Sequence, residues 1–198
     1  MKKTEIILVI IFIIGLLFMA FSLPGQNMLM VLALGFLAMV YTFFGFALLN
    51  NIKFRNILKK DSYQSTSTAR ILGSVAIGIS LAVAIDGILF RIMFWPGASV
   101  MLSNGIIFLA IITIIGIIKF SKNKSAFYIG VFKRTIIIGI IATILFLIPT
   151  KALVNFRYRN NPAYAKIFLD ALQHPENIEY QKKLQEEREK MGSGVNGP

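Results

Sequence analysis

Five stretches of this chain are too long and too apolar to be the helices of an ordinary water-soluble domain. They run over residues 6–22, 28–50, 71–94, 100–118 and 135–154. A helix rises about 1.5 Å per residue and a bilayer's hydrocarbon core is about 30 Å thick, so about 20 apolar residues cross it. Only 15% of the chain is charged and 56% is hydrophobic, which leaves residues 6–150 without a polar surface. The expected fold is all-α: a polytopic transmembrane helix bundle with the lipid bilayer as its surroundings. The first run also has features of a signal peptide, with Lys2 and Lys3 ahead of it and Ala20-Phe21-Ser22 as a cleavage-like end. Its length favours a retained helix.

Lysine and arginine set the expected orientation. Lys2 and Lys3 precede the first run. Lys53, Arg55, Lys59, Lys60 and Arg70 follow the second, and Lys119, Lys122, Lys124, Lys133 and Arg134 follow the fourth. The turns LPGQN and WPGAS carry no charge. The basic loops and the N-terminus therefore belong in the cytoplasm and both turns on the other side. The expected organisation is a transmembrane hairpin over 1–50, a basic cytoplasmic linker over 51–70 and a second hairpin over 71–118. A basic loop follows over 119–134, then a fifth span over 135–154 and an extramembrane tail over 155–198. The fifth span is the weakest, because Pro149 and Lys151 interrupt it and Lys151 must snorkel if it is to cross. If it crosses, the tail lies outside the cytoplasm. In the tail, Asn161 and Pro162 open a short amphipathic helix. Pro175 separates it from a charged one over about 175–190, expected to be solvated, and GSGVNGP ends the chain flexibly.

Residues 15–38 align without a gap on residues 87–110. Gly15 meets Gly87, Phe18 meets Phe90, Pro24-Gly25 meets Pro96-Gly97, and Phe36-Leu37-Ala38 meets Phe108-Leu109-Ala110. Proline fixes φ at the second residue of a tight turn and glycine accepts a positive φ at the third. The same helical hairpin is thus written twice, with the fifth helix and tail as an appendage.

The second copy alone carries charge. Asp86 falls about 12 Å inside the outer end of its helix, near the middle of a membrane core. Arg91 lies further out, where it can snorkel, and Asn104 on the next helix could bridge the two. Ser74, Gly78 and Ala82 recur every four residues ahead of Asp86, the pattern that lets a neighbouring helix approach closely. Trp95 suits the headgroup level as an anchor. A polar packing clamp is the plainer reading of Asp86; ion handling or contact with a lipid or small ligand are the alternatives.

Other chemistry finds no support. Without cysteine there is no disulfide, thiolate or Cys-ligated metal, and His174 is the single histidine. No phosphate-binding loop or nucleophile motif occurs, so neither an enzyme nor a cofactor is expected. The net charge of +12 is spread at the ends of apolar runs, which argues against nucleic acid. The KFSKNKSAFY stretch, residues 119–128, could lie on anionic lipid.

The stretch LFRIMFWPGASVML resembles the hairpin signature of the GldL family. These are inner-membrane subunits of the gliding-motility and type IX secretion motor of Bacteroidota. Phe90, Ile92, Trp95, Pro96, Gly97, Ala98, Met101, Leu102 and Gly105 match, while Arg91 stands for the family's lysine and Phe94 for its histidine. The resemblance covers one hairpin and implies that fold and a bacterial inner membrane. The family's second-helix glutamate would fall near Leu109, where this chain is apolar, so no proton-driven activity is implied. The leading expectation is an accessory or scaffold subunit of a membrane complex with protein partners. The alternatives are a small transporter or channel using Asp86 and a membrane sensor signalling through the tail.

Overall fold

The computed structural model describes residues 1–64 and 66–192. Among them are eight α-helices and no strand: α1 (Lys2–Ala20), α2 (Gln26–Leu49), α3 (Thr68–Met93), α4 (Ala98–Lys122), α5 (Ala126–Leu147), α6 (Thr150–Arg157), α7 (Pro162–Gln173) and α8 (Ile178–Gly192). The first five are long and apolar enough to cross a membrane. Two short 3-10 turns, Phe54–Asn56 and Lys60–Tyr63, lie in the basic linker. The last residues of the glycine-rich end, 193–198, lie outside the described residues. The chain forms two compact units, one of residues 1–17 and 25–147, the other of residues 18–24 and 148 onward.

α3 is the centre of the first unit and packs against α2, α4 and α5. Its small residues explain how. A methyl group added at Gly78 would come within 2.5 Å of the Tyr41 carbonyl oxygen, so α2 and α3 touch backbone to backbone. One added at Gly105 would come within 2.6 Å of Ala84 Cα, so α3 and α4 touch the same way.

The two Pro-Gly turns agree position by position. Gly25 and Gly97 cap α2 and α4 with φ of 85° and 79°, a conformation that favours glycine. Ser22 and Phe94, also at matching places, have φ of 54° and 56°. The Leu23 amide donates to the Phe18 carbonyl at 2.8 Å, and the Trp95 amide to the Phe90 carbonyl at 2.9 Å. Each closes its helix in a Schellman motif that satisfies carbonyls left over at the helix end.

The fifth span is where the expected boundaries fail. α5 begins at Ala126 and ends at Leu147, not over 135–154. Ser125 starts it early, its Oγ accepting the Phe127 amide at 3.3 Å. Pro149 ends it, since proline offers no N–H and its ring clashes with the preceding turn. Lys133 and Arg134 therefore lie inside a helix and not in a loop over 119–134. Lys151 belongs to the separate helix α6 and has no span to snorkel from. The linker is also shorter than 51–70, because α3 starts at Thr68, with the Ser67 side chain accepting the Arg70 amide.

In the second unit, Asn161 Oδ1 accepts the Tyr164 amide at 3.1 Å and Pro162 opens α7, as the sequence indicates. α8 is not a free solvated helix. Leu184 is buried, Arg188 Nε donates to the Tyr164 hydroxyl at 3.1 Å, and Gln181 Nε2 donates to the Ala171 carbonyl at 3.0 Å. These contacts dock α8 on α7. Along its outer face, Lys183 pairs with Glu179 and Lys190 with Glu187. Burial raises the pKa of the Tyr158 phenol and lowers that of the Arg157 guanidinium at the end of α6.

Candidate functional site

Three membrane-type helices meet through charge. Glu5 stands in the first turn of α1, where the helix dipole favours a carboxylate. Arg134 reaches it from α5 with a two-pronged bond: Nε to Oε1 at 2.7 Å and Nη2 to Oε2 at 2.6 Å. From α2 the Tyr41 hydroxyl donates to Glu5 Oε1 and accepts from Arg134 Nε at 3.2 Å. Arg134 Nη1 donates to the Gly130 carbonyl one turn back. The side chains of Arg134 and Glu5 are 19% and 15% exposed, and Tyr41 as a whole residue is 2% exposed. The fork geometry matches guanidinium to carboxylate, and the phenol completes the carboxylate's hydrogen bonding. Breaking such a buried pair from one side costs about 3–5 kcal/mol, because it strands the remaining charge. Chemically this is a neutral clamp that ties α1 and α2 to α5.

A second polar group sits near the start of α3. Asn50, just past α2, donates from Nδ2 to the Phe46 carbonyl and to Ser74 Oγ, both at 2.8 Å, and accepts Arg70 Nε at 2.9 Å. Ser74 is fully buried and donates to the Arg70 carbonyl at 2.7 Å. Ser74 and Gly78 thus lie on the face of α3 turned to α2, and Ala82, one turn further on, is buried.

The expected Asp86–Arg91–Asn104 cluster does not assemble. Arg91 turns to α5, where its Nε donates to the Leu145 carbonyl at 3.2 Å in that helix's last turn. A cation there also offsets the helix dipole. Asn104 is exposed. α3 and α4 meet through Gly87 and Gly105, and Asn104, one residue before Gly105, points about 100° away from that contact. Asp86 makes no hydrogen bond or ion pair among the described residues. It is partly buried, between the buried Ala82 and Leu89 and the outward-facing Ile79. Trp95 packs edge-on against Phe90, ring centres 5.0 Å apart, at the second turn.

Among the described residues no group of three His, Asp or Glu is placed to hold a metal ion. No family model, curated protein or solved structure matches the chain.

Proposed function

We propose that this chain is an accessory or scaffold subunit of a larger complex in a bacterial cytoplasmic membrane. Asp86 carries that reading. A carboxyl near the centre of a membrane-crossing helix costs about 2.5–3.5 kcal/mol on insertion scales. Among the described residues no group pairs with Asp86, which sits only partly buried on α3. A helix from another protein, bringing a donor to Asp86, is the partner such a surface fits. The resemblance of residues 90–105 to the GldL hairpin supports a link to gliding motility or type IX secretion. The charge asymmetry supports an orientation with the N-terminus and the 51–67 linker in the cytoplasm. The two Pro-Gly turns, and after five crossings the tail, are then outside.

The chain has no native cysteine, so orientation is read by introducing single ones. Cysteines at Gln26 and Ser99 should react with an impermeant reagent in whole cells, and one at Thr66 should not; the reverse pattern inverts the topology. Purification in mild detergent should recover a stoichiometric companion protein. Asp86→Asn should retain it, since the amide keeps an acceptor and adds donors. Asp86→Leu should lose it while shifting the stability of the isolated chain by less than about 0.5 kcal/mol. A lone homo-oligomer whose cation flux in liposomes stops with Asp86→Asn would replace the subunit reading with transport.

A further inference from the structure

The ends of three helices enclose a pocket of about 290 Å³ that the subunit role does not use. Ser67, Ala69 and Arg70 line it from the start of α3, Lys119 and Asn123 from the end of α4, and Ser125, Phe127 and Tyr128 from the start of α5. Two of these residues are cations and none is an acid. Two helices begin there, and helix starts carry partial positive charge. The end of α4 opposes this, but Lys119 and Lys122 in its last turn offset the effect.

Arg70 is held as a receptor group would be. Its Nε is fixed by Asn50, which is itself fixed by Phe46 and the buried Ser74. Its guanidinium carbon lies 4.4 Å from the centre of the Phe127 ring. The two terminal nitrogens of the fork have no hydrogen-bond partner among the described residues. Ser67 and Ser125 each accept a backbone amide, which leaves their hydroxyl hydrogens to donate elsewhere. Arginine with two aligned donors, a lysine and two hydroxyls form a set of donors suited to a tetrahedral oxyanion.

We infer that this pocket binds a phosphate group. Its volume lies at the small end of the range for ligand sites, enough for a phosphate and a few attached atoms. The pocket stands at the ends of helices that are long and apolar enough to cross a membrane. That is the level of lipid headgroups, where basic residues and Tyr gather. An anionic phospholipid headgroup and a free phosphate share this chemistry, and the experiment separates them.

The full chain in a zwitterionic detergent is titrated calorimetrically with dihexanoyl phosphatidylglycerol, with dihexanoyl phosphatidylcholine and with inorganic phosphate. Phosphatidylglycerol should bind at one site, and Lys119→Gln should weaken it about fivefold, the factor expected for one basic residue near an anionic headgroup. Lys122→Gln makes the same charge change outside the pocket and should weaken binding less than twofold. Arg70→Lys keeps the charge but loses the fork, and should weaken binding at least as much as Lys119→Gln. Inorganic phosphate binding as tightly, with the same ranking of variants, would assign the site to a soluble phosphate. Equal effects of Lys119→Gln and Lys122→Gln, or binding by neither anion, would overturn the proposal.

Discussion

The first and second hairpins share a turn and differ in almost everything that holds their arms together. In the second, α3 and α4 meet backbone to backbone: Gly87 faces Leu102 and Gly105 faces Ala84. In the first, the position of Gly87 is taken by Gly15, facing Met30, and that contact survives. At the next contact, however, the pair Ala84–Gly105 becomes Phe12–Ala33. A phenylalanine is too large for the backbone contact that the alanine allows, and α1 packs on α2 far less closely than α3 on α4. Polar ties make up for the gap. At the same offset, Glu5 and Tyr41 correspond to Ile77 and Thr113, and Asp86 and Arg91 to Ile14 and Met19. Thr113 merely returns its hydroxyl to the Leu109 carbonyl. The first hairpin therefore reaches α5 through an ion pair, whereas the second closes on its own backbone, meets α5 through Arg91 and a backbone carbonyl, and leaves Asp86 unpaired among the described residues. One turn motif admits two ways of closing, and the residues one turn beyond it decide which.

This contrast can be broken from either side. The largest effect is expected at the charged tie. Arg134→Gln should destabilise the detergent-solubilised protein by about 3–5 kcal/mol, read from denaturant unfolding, because it leaves Glu5 charged and without its partner. Next comes the matched glycine pair. Gly87→Ala places a methyl group 2.8 Å from Leu102 Cα, a backbone atom that cannot step aside, and should cost about 1–3 kcal/mol. Gly15→Ala meets first the flexible Met30 side chain, at 3.1 Å, with Leu29 Cβ and the Met30 amide nitrogen at ordinary contact distance, and should cost less than about 1 kcal/mol, since alanine also gains in helix propensity. Equal costs would mean that the two hairpins close alike after all. Tyr41→Phe, milder than the loss of the charged tie, removes both phenol hydrogen bonds from the clamp and leaves the ion pair. Its expected cost is about 0.6–2 kcal/mol, in the range of intramembrane hydrogen bonds.

Much of the bundle was legible in the chain. Run length gives five helices long and apolar enough to cross a membrane, and Pro24-Gly25 and Pro96-Gly97 give two turns of the same geometry, because these are local properties. The clamp was not legible, because its partners are far apart in sequence and no periodicity connects Glu5 to Arg134. Arg134 read as a loop charge, since α5 was expected to start after it. One signal was available: Glu5, Asp61 and Asp86 are the sole acidic residues before Asp170. A carboxylate at the edge of an apolar run in so basic a chain invites an arginine, although which one depends on how the helices pack. The supposed link from Asp86 to Asn104 failed for the complementary reason. Matching depth across a hairpin says nothing about rotation, and Gly105, not its neighbour, occupies the contact.

Exchanging the charges tests most directly the claim that the first hairpin is held through α5. Glu5→Arg and Arg134→Glu are made singly and together in the full chain, and the unfolding free energy of each is measured in the same detergent. If the pair is the tie, each single change places like charges together and costs at least about 3 kcal/mol, and the double exchange recovers at least half of the summed loss. If the double variant is as unstable as the two losses added together, the charges do not interact, and α1 is held by something else.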